Sequence, residues 1–154
     1  MKLTAFTKED FEHLYEFMYP LWHETYGEIL PKEQIDFLLD KYFSKDGIAY
    51  YLSQGYEYYK LDDIGVLVYV QRESDVYMDK LYLLPEGRGK GYPMYAFNHM
   101  SSFGKAVRLS VNQANKRAFR CYQKNGFVIE KDVEVVLENG MINHDYIMIR
   151  RQYK

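Results

Sequence analysis

The chain has 154 residues, 47% hydrophobic and 27% charged, a composition typical of one globular domain. Its formal net charge of −2 gives no reason to expect a nucleic-acid or membrane partner. Cys121 is the only cysteine, which excludes an intrachain disulfide, and no apolar run approaches the roughly 20 residues that span a bilayer. Because the first residues lack the apolar core of a secretion signal, we expect a cytoplasmic protein. The sequence contains no repeat or linker, so we expect one domain over residues 1–154, as a monomer or a homodimer.

The N-terminal third is predicted to be mainly helical. A short strand at 2–6 precedes Thr7, which has the spacing of a capping box with Asp10, so a helix is expected to begin there and to stop near Pro20. Pro31 suits the first turn of a second helix. The apolar residues after it recur with the helical period: Ile35, Leu38, Leu39, Tyr42 and Phe43.

The remainder of the chain alternates strand and helix patterns. A third short helix is expected between Ser44 and Gly55, after which the hydrophobic period becomes strand-like. The elements predicted next are strands at 56–61, 65–71 and 76–84, a helix at 93–103, a strand at 107–111, a helix at 115–125, and strands at 127–137 and 141–150. Asn139-Gly140 between the last two strands is a strong hairpin signal. This order predicts an α/β fold with a mixed sheet covered by helices.

The segment from Leu81 to Pro93 carries the clearest chemical signal. A predicted strand runs into a loop containing Gly87, Gly89 and Gly91, and the loop opens a helix. Helix N-termini present unpaired N–H groups and the positive end of the helix dipole, so this arrangement suits a phosphate or pyrophosphate. The spacing matches neither a Walker loop nor a dinucleotide-binding fingerprint, and the absence of a Ser or Thr after Lys90 argues against a nucleotide-phosphate enzyme.

A second signal lies on the helix predicted at 115–125, where Asn115 and Tyr122 fall on one face. The loop sequence RGKGYP at 88–93 and the run NKRAFRCYQKNGF at 115–127 resemble the two signatures of the GCN5-related N-acetyltransferase superfamily, R/Q-x-x-G-x-G/A and N-x-x-A-x-x-x-Y-x-x-x-G-F. The signatures occur in the family's order and separation. The segments at 22–26 and 145–148 are loosely similar to a polyamine- or diamine-acetylating branch.

The resemblance implies a mostly antiparallel sheet of six or seven strands with helices on both faces. It also implies acetyl-CoA as cofactor and transfer of the acetyl group to a primary amine of a small, polyamine-like molecule or of a peptide. The implied cofactor-binding residues are Leu81, Tyr82, Leu83, Arg88, Gly89, Lys90, Gly91, Tyr92, Pro93, Met94, Asn115 and Tyr122. Pro93 stands where the family usually has Gly or Ala, and it removes one N–H that would otherwise face the pyrophosphate.

The implied reaction is direct attack of the amine on the thioester. An alkyl ammonium with a pKa of ~10.4 must first lose a proton, which costs about 4–5 kcal/mol at neutral pH, so the site needs a proton acceptor. Strand alternation puts Asp79 on the same face as Leu81, and Asp79 is the first candidate base, ahead of Glu24 and Glu28. Tyr122 is the candidate catalytic acid, with a hydrogen bond to the sulfur that strengthens as charge develops.

The acceptor site is expected among the early helices and the last strands. The candidate substrate-binding residues are Trp22, His23, Glu24, Tyr26, His144 and Tyr146. Acidic and aromatic side chains suit a cationic amine. No metal is expected, because the four histidines lack metal-ligand spacing.

Three alternatives stay open on the sequence. Cys121 is expected to be a buried thiol, although a cysteine nucleophile with a ping-pong route is possible. The basic face of the last helix is either a solvated surface or a contact for the 3′-phosphate of CoA: Lys116, Arg117, Arg120 and Lys124. The chain as a whole is either an enzyme or a catalytically weak CoA-sensing or partner-binding module.

Overall fold

Within residues 1–152, which the computed structural model describes, seven strands and six α-helices alternate along the chain. The strands are β1 (Leu3–Ala5), β2 (Glu57–Leu61), β3 (Gly65–Gln71), β4 (Asp75–Leu83), β5 (Ala106–Asn112), β6 (Val128–Val136) and β7 (Ile142–Arg150). The helices are α1 (Lys8–Glu12), α2 (Leu14–Tyr26), α3 (Lys32–Phe43), α4 (Lys45–Ser53), α5 (Tyr92–Ser101) and α6 (Lys116–Lys124), with a 3-10 turn at Pro85–Gly87. The predicted domain extends to residues 153 and 154, which lie outside the described residues.

The strands form one sheet in the order β1-β2-β3-β4-β5-β7-β6. Every neighbouring pair is antiparallel except β4 and β5, which confirms the mostly antiparallel sheet implied by the resemblance. The parallel pair is short, because only Asp75–Met78 of β4 lies beside Ala106–Leu109 of β5. Beyond Met78 the two strands diverge, and their facing edges carry backbone N–H and C=O groups that no sheet ladder pairs.

A β-bulge interrupts β4 at Asp79. In the β3–β4 register Lys80 lies opposite Val68 and Met78 lies opposite Tyr69, so Asp79 is an extra residue on β4. An inserted residue reverses the alternation of the side chains that follow it. Met78 and Leu81 accordingly pack against the same core cluster, while Lys80 points to the opposite face. The prediction that Asp79 shares a face with Leu81 was therefore wrong.

Two hydrophobic clusters cover the two faces of the sheet, which confirms helices on both sides. One cluster joins α5 and α6 to the sheet and includes Phe97, Leu109 and Phe127. The other joins α2, α3 and α4 to the opposite face and includes Trp22 and Phe43. No helix within residues 1–152 has the length and apolar character needed to cross a membrane.

The chain enters α1 as the local sequence predicts. The backbone N–H of Thr7 donates to Asp10 Oδ2 at 2.8 Å, and the N–H of Asp10 donates to Thr7 Oγ1 at 3.3 Å. These bonds form the capping box, and the rings of Phe6 and Phe11 pack at 5.0 Å beside it. The helix start is confirmed.

The single helix predicted from Thr7 to about Pro20 was wrong in two respects: it is divided at His13 into α1 and α2, and α2 runs through Pro20 from Leu14 to Tyr26. A proline inside a helix costs about 3 kcal/mol, since it removes one hydrogen bond and crowds the preceding turn. Leu21 and Trp22 directly after it are buried, and two such side chains contribute roughly 3–6 kcal/mol. Burial therefore offsets the proline, and the helix continues into the wall of the site.

Candidate functional site

The divergence of β4 and β5 opens a cavity of about 570 Å³. Its walls come from α2, α3, α6, the loop before α5, and the ends of β4, β5 and β7. Eleven of the sequence-predicted site residues line it: Trp22, Tyr26, Asp79, Leu81, Tyr82, Leu83, Arg88, Gly89, Pro93, Asn115 and Tyr122. Both signature segments thus reach one cavity.

The glycine-rich loop adopts a conformation that exposes backbone donors. Gly89 has φ +74° and Gly91, the N-cap of α5, has φ +88°, and glycine reaches this left-handed region at no steric cost. The N–H groups of Gly89, Lys90 and Gly91 donate to no other residue within 1–152. No heavy atom lies within 4 Å of the position that a side chain at Gly89 would occupy. Free donors beside open space, at the positive end of α5, fit a phosphate group.

Four loop residues with predicted cofactor contacts do not line the cavity: Lys90, Gly91, Tyr92 and Met94. The Tyr92 hydroxyl donates instead to Asp62 Oδ2 at 2.6 Å, which anchors the first turn of α5 to the loop after β2. Lys90 and Gly91 are exposed, and together with Gly89 they supply the unpaired backbone N–H groups of this loop, which we call the cradle.

Asn115 lies at the junction of the cavity and α6. Its Oδ1 accepts a hydrogen bond from the N–H of Ala118 at 3.3 Å, so the residue is the N-cap of the helix. The side chain is buried and lines the cavity. The predicted helix start is confirmed, and the structure adds a capping role.

Three of the five tyrosines that line the cavity, Tyr26, Tyr82 and Tyr122, are residues that the sequence predicted for the site. The hydroxyls of Tyr26 and Tyr82 lie 2.9 Å apart and form a hydrogen bond. Burial raises the pKa of Tyr122, and Tyr26 raises it further. The Tyr122 hydroxyl donates to no other residue within 1–152, and its raised pKa keeps it protonated well into the alkaline range. It is therefore a free hydrogen-bond donor inside the cavity.

The predicted bases are held in ion pairs or lie outside the cavity. The Asp79 carboxylate pairs with the ammonium of Lys80, which is only 5% exposed and whose Nζ lies 4.1 Å from the centre of the Tyr42 ring. Glu24 accepts a hydrogen bond from Arg88 Nη2 at 2.6 Å, which links α2 to the glycine-rich loop. Glu28 is exposed and does not line the cavity.

Comparisons with known proteins identify the fold of this chain. No protein-family model matches the sequence, and a search of curated proteins finds no match either. Among solved structures, PaiA N-acetyltransferase from Thermoplasma acidophilum in complex with coenzyme A superposes with a TM-score of 0.75, at 24% identity over 98% of each chain. The chain has the GCN5-related N-acetyltransferase fold.

Two further structures with this fold agree. A putative acetyltransferase from the GNAT family of Bacteroides thetaiotaomicron has a TM-score of 0.64 and 23% identity, over 100% of this chain and 89% of that one. The spermidine N-acetyltransferase of Vibrio cholerae, in complex with CoA and spermine, has a TM-score of 0.63 and 20% identity, over 98% and 95% of the two chains. The acetyltransferase fold therefore extends over the whole described chain.

The two residues of β7 that the sequence predicted for the acceptor site, His144 and Tyr146, do not line the cavity. His144 is exposed near Glu134, and the ring of Tyr146 packs on Phe119, 5.4 Å away between centroids, on the α6 side. Because side chains alternate along a strand, Asn143 and Asp145 line the cavity in their place.

His23 also lies outside the cavity lining. Its Nε2 contacts Asp36 Oδ1 at 3.0 Å, which ties α2 to α3. Of the predicted acceptor residues, Trp22 and Tyr26 alone remain in the cavity wall. The Trp22 indole N–H is buried and has no hydrogen-bond partner within residues 1–152.

Sequence reasoning missed several cavity residues: Tyr42, Tyr77, Lys80, Cys121, Asn143 and Asp145. Tyr42 belongs to a helical apolar stripe that is typical of a core, and Cys121 was expected to be a buried thiol. Burial raises the pKa of the Cys121 thiol, which disfavours the thiolate that a nucleophile requires. Within residues 1–152 no group of three or more acidic, histidine or cysteine side chains is arranged to hold a metal ion.

Pro93, at the second position of α5, lines the cavity and withholds one donor from the cradle. Replacing it with alanine adds an N–H, and a hydrogen bond to a charged group contributes about 1.5–3 kcal/mol. We expect Pro93→Ala to bind CoA at least about tenfold more tightly, measured by isothermal titration calorimetry. Pro31→Ala makes the same exchange at the start of α3 and should leave the affinity unchanged; an equal or weaker affinity of Pro93→Ala contradicts the expected cost of this proline.

Proposed function

We propose that the protein is an N-acetyltransferase that moves the acetyl group of acetyl-CoA to a primary amine of a small, polyamine-like molecule or of a peptide. One observation carries the proposal: a single cavity joins the anion-binding loop before α5, the unpaired edges of β4 and β5, and the free Tyr122 hydroxyl. An anion cradle, an extended backbone edge and a hydrogen-bond donor are the three features that a phosphorylated thioester cofactor requires.

The residues of the cavity fit acetyl-CoA from one end to the other. The free N–H groups of Gly89, Lys90 and Gly91 hold the pyrophosphate, and the unpaired edge at Leu81–Leu83 forms hydrogen bonds with the amides of the pantetheine arm. Arg117 is the member of the basic α6 face that lines the cavity, and it is our candidate for a contact with the 3′-phosphate. When bound, acetyl-CoA supplies a thioester whose carbonyl carbon accepts the amine.

Tyr122 stabilises the sulfur as it gains negative charge. At ordinary pKa values, full proton transfer from a phenol (~10) to a thiolate (~8.5) is uphill by roughly 2 kcal/mol. Burial raises the pKa of Tyr122, which makes complete transfer less favourable still. The hydroxyl therefore acts by donating a hydrogen bond that becomes stronger in the transition state.

A small amine acceptor is supported by the aromatic wall of the cavity, which includes Trp22, Tyr26 and Tyr42. Two structures with the same fold, a spermidine N-acetyltransferase in complex with CoA and spermine and an N-acetyltransferase in complex with coenzyme A, are in line with this acceptor and cofactor. The cytoplasmic location and the oligomeric state stay predictions from the sequence.

Binding and turnover test the proposal separately. Acetyl-CoA at 100 times its Kd should stabilise the protein by about 2.7 kcal/mol and raise Tm by roughly 5–11 °C for a domain of this size. A panel of alkylamines, spermidine and a lysine peptide should include an acceptor that releases CoA thiol faster than acetyl-CoA alone. Binding without thiol release supports the CoA-binding module instead, and an unchanged Tm contradicts both functions.

A further inference from the structure

Two carboxylates line the cavity, and only one of them has a counter-ion within residues 1–152. Asp79 pairs with Lys80, whose ammonium is held among the rings of Tyr42, Phe43 and Tyr51 at 4.1, 5.4 and 5.3 Å. Because the aromatic cage and the burial of Lys80 keep the cation beside Asp79, this carboxylate is neutralised without a ligand. A neutralised carboxylate attracts a second cation weakly.

Asp145 is the other carboxylate. It lies opposite Asn112 of β5, on the part of β5 that has already diverged from β4. Gln113 Nε2 donates to the backbone oxygen of Asp145 at 3.2 Å. The Asp145 side chain makes no hydrogen bond or ion pair with any residue from 1 to 152. Burial raises the pKa of the Asp145 carboxyl, as expected for a carboxylate that lacks a partner.

The surroundings of Asp145 show why no cation neutralises it. The neighbouring Asn143 side chain contacts Gln34 of α3, and alternation along β7 places Asp145 toward the same α2–α3 wall. The titratable groups that interact with Asp145 are Tyr26 of α2, Tyr42 of α3 and the adjacent His144, and β6 presents Val133 opposite it. The other charged groups of the same cavity are the Asp79–Lys80 pair of β4, Arg88 of the glycine-rich loop and Arg117 of α6. Lys80 is engaged by Asp79, and His144 is exposed on the other face of β7.

We propose that Asp145 binds the ammonium group of the acceptor and accepts its first proton. This assignment rests on the proposed acetyltransferase function and replaces Asp79 as the base. We call the part of the cavity beside Asp145, Trp22 and Tyr26 its acceptor end. Because this end has one carboxylate without a counter-ion, it binds one alkyl ammonium group at a time. The aromatic side chains of Trp22 and Tyr26 contact the apolar body that carries this group. Any further ammonium group of a polyamine remains outside this end of the cavity.

The proton balance of the reaction follows from this arrangement. The ammonium gives one proton to the Asp145 carboxylate, and the neutral amine forms the new N–C bond as the C–S bond breaks. The nitrogen then loses its second proton to the departing sulfur, which the Tyr122 hydroxyl has stabilised, so the products are an amide and a thiol. Asp145 returns its proton to solvent through the open cavity.

Asp145→Asn keeps the size of the side chain and removes the base. With the fastest acceptor of the amine panel, we expect kcat/KM to fall at least about 100-fold while the KM for acetyl-CoA is unchanged. In the parent protein kcat/KM should decline at acid pH, because Asp145 works only when ionised, and the apparent pKa of this decline should be higher than that of an ordinary aspartate because burial raises the pKa of Asp145. Asp145→Asn should lose this acid limb. Asp145→Glu retains a carboxylate and should restore the acid limb and part of the activity.

Asp132→Asn is the matched control, because Asp132 is an exposed carboxylate on the neighbouring strand β6 and lies outside the cavity. Its kinetics should equal those of the parent protein. A reading without acetyl-CoA comes from Trp22, the only tryptophan in the chain and part of the cavity wall. When the same alkylamine is added to the parent protein, the change in Trp22 fluorescence should saturate. In Asp145→Asn the affinity for the alkylamine obtained from this change should be about tenfold weaker.

The outcomes separate this inference from the proposed function. If the parent protein turns over an amine and Asp145→Asn matches it in rate, pH profile and amine affinity, the inference is overturned and the acetyltransferase proposal stands. If the parent protein releases no thiol with any amine, both are overturned. Loss of kcat/KM together with the acid limb, with recovery in Asp145→Glu, supports the inference.

Discussion

Replacing Lys80 with methionine is expected to lower the free energy of unfolding by about 3 kcal/mol, although methionine has a similar length and no charge. The substitution leaves the Asp79 carboxylate, only 17% exposed, without the cation that neutralises it. It also removes the contact between the ammonium and the Tyr42 ring, which contributes about 0.5–2 kcal/mol. Urea denaturation measures the change, and the corresponding loss in Tm is roughly 6–12 °C for a domain of this size.

The double substitution Lys80→Met with Asp79→Asn tests the reason for this loss. It removes both charges, so most of the lost stability should return, since neutral replacements of a buried ion pair are often as stable as the pair itself. Lys131→Met, an exposed lysine on β6, is the control and should change stability by less than about 0.5 kcal/mol. If Lys80→Met is as stable as the parent protein, the Lys80 ammonium is not required to stabilise the Asp79 carboxylate in the folded state.

Tyr122→Phe is expected to lower kcat for acetyl transfer by about 100-fold, because it deletes the only atom that we assign to stabilising the departing sulfur. The Tyr122 hydroxyl donates to no residue within 1–152, so its removal costs little stability. Since burial raises the pKa of this hydroxyl, the parent protein should show no loss of activity near neutral pH from ionisation of Tyr122. Steady-state kinetics with saturating acetyl-CoA measure the change.

Tyr50→Phe is the matched control, because Tyr50 is 60% exposed and lies outside the cavity. It should have the kcat of the parent protein and the same KM for acetyl-CoA. Melting temperatures of both variants should lie within about 2 °C of the parent, as expected for changes of roughly 0.5 kcal/mol. Equal turnover in Tyr122→Phe and Tyr50→Phe removes Tyr122 from the proposed mechanism.

Much of this fold was predictable from short stretches of sequence. The capping box at Thr7, the stripe that forms α3 and the hairpin at Asn139-Gly140 depend on residues within a few positions of one another, and all three are present. The loop at Gly89 was predictable for the same reason, because a glycine at positive φ before a helix start exposes backbone donors without help from the rest of the chain.

The sequence could not indicate which face of β4 or β7 enters the cavity. The bulge at Asp79 arises from the pairing of β4 with β3, and it reverses the alternation that sequence reasoning assumed. In β7 the run Asn143-His144-Asp145-Tyr146 is polar on both faces, so its pattern does not identify the buried side. The helix end predicted at Pro20 was wrong for a related reason. The side chains that follow Pro20 in α2 are buried against residues far away in the sequence, and this burial stabilises the helix beyond the proline.

By itself, then, the sequence determined the order of strands and helices, the anion-binding loop and the tyrosine on α6, because each depends on backbone preferences and spacing within one segment. Only the tertiary structure decided that Lys80 neutralises Asp79 and that Asp145 is left without a partner. The pairing of β4 with β3 creates the bulge that turns the neighbouring Asp79 and Lys80 to one face, and α3 supplies the Tyr42 ring beside Lys80. Asp145 comes to the same cavity from β7, more than sixty residues later in the chain, and a charge is compensated only by what lies within a few ångströms of it in space.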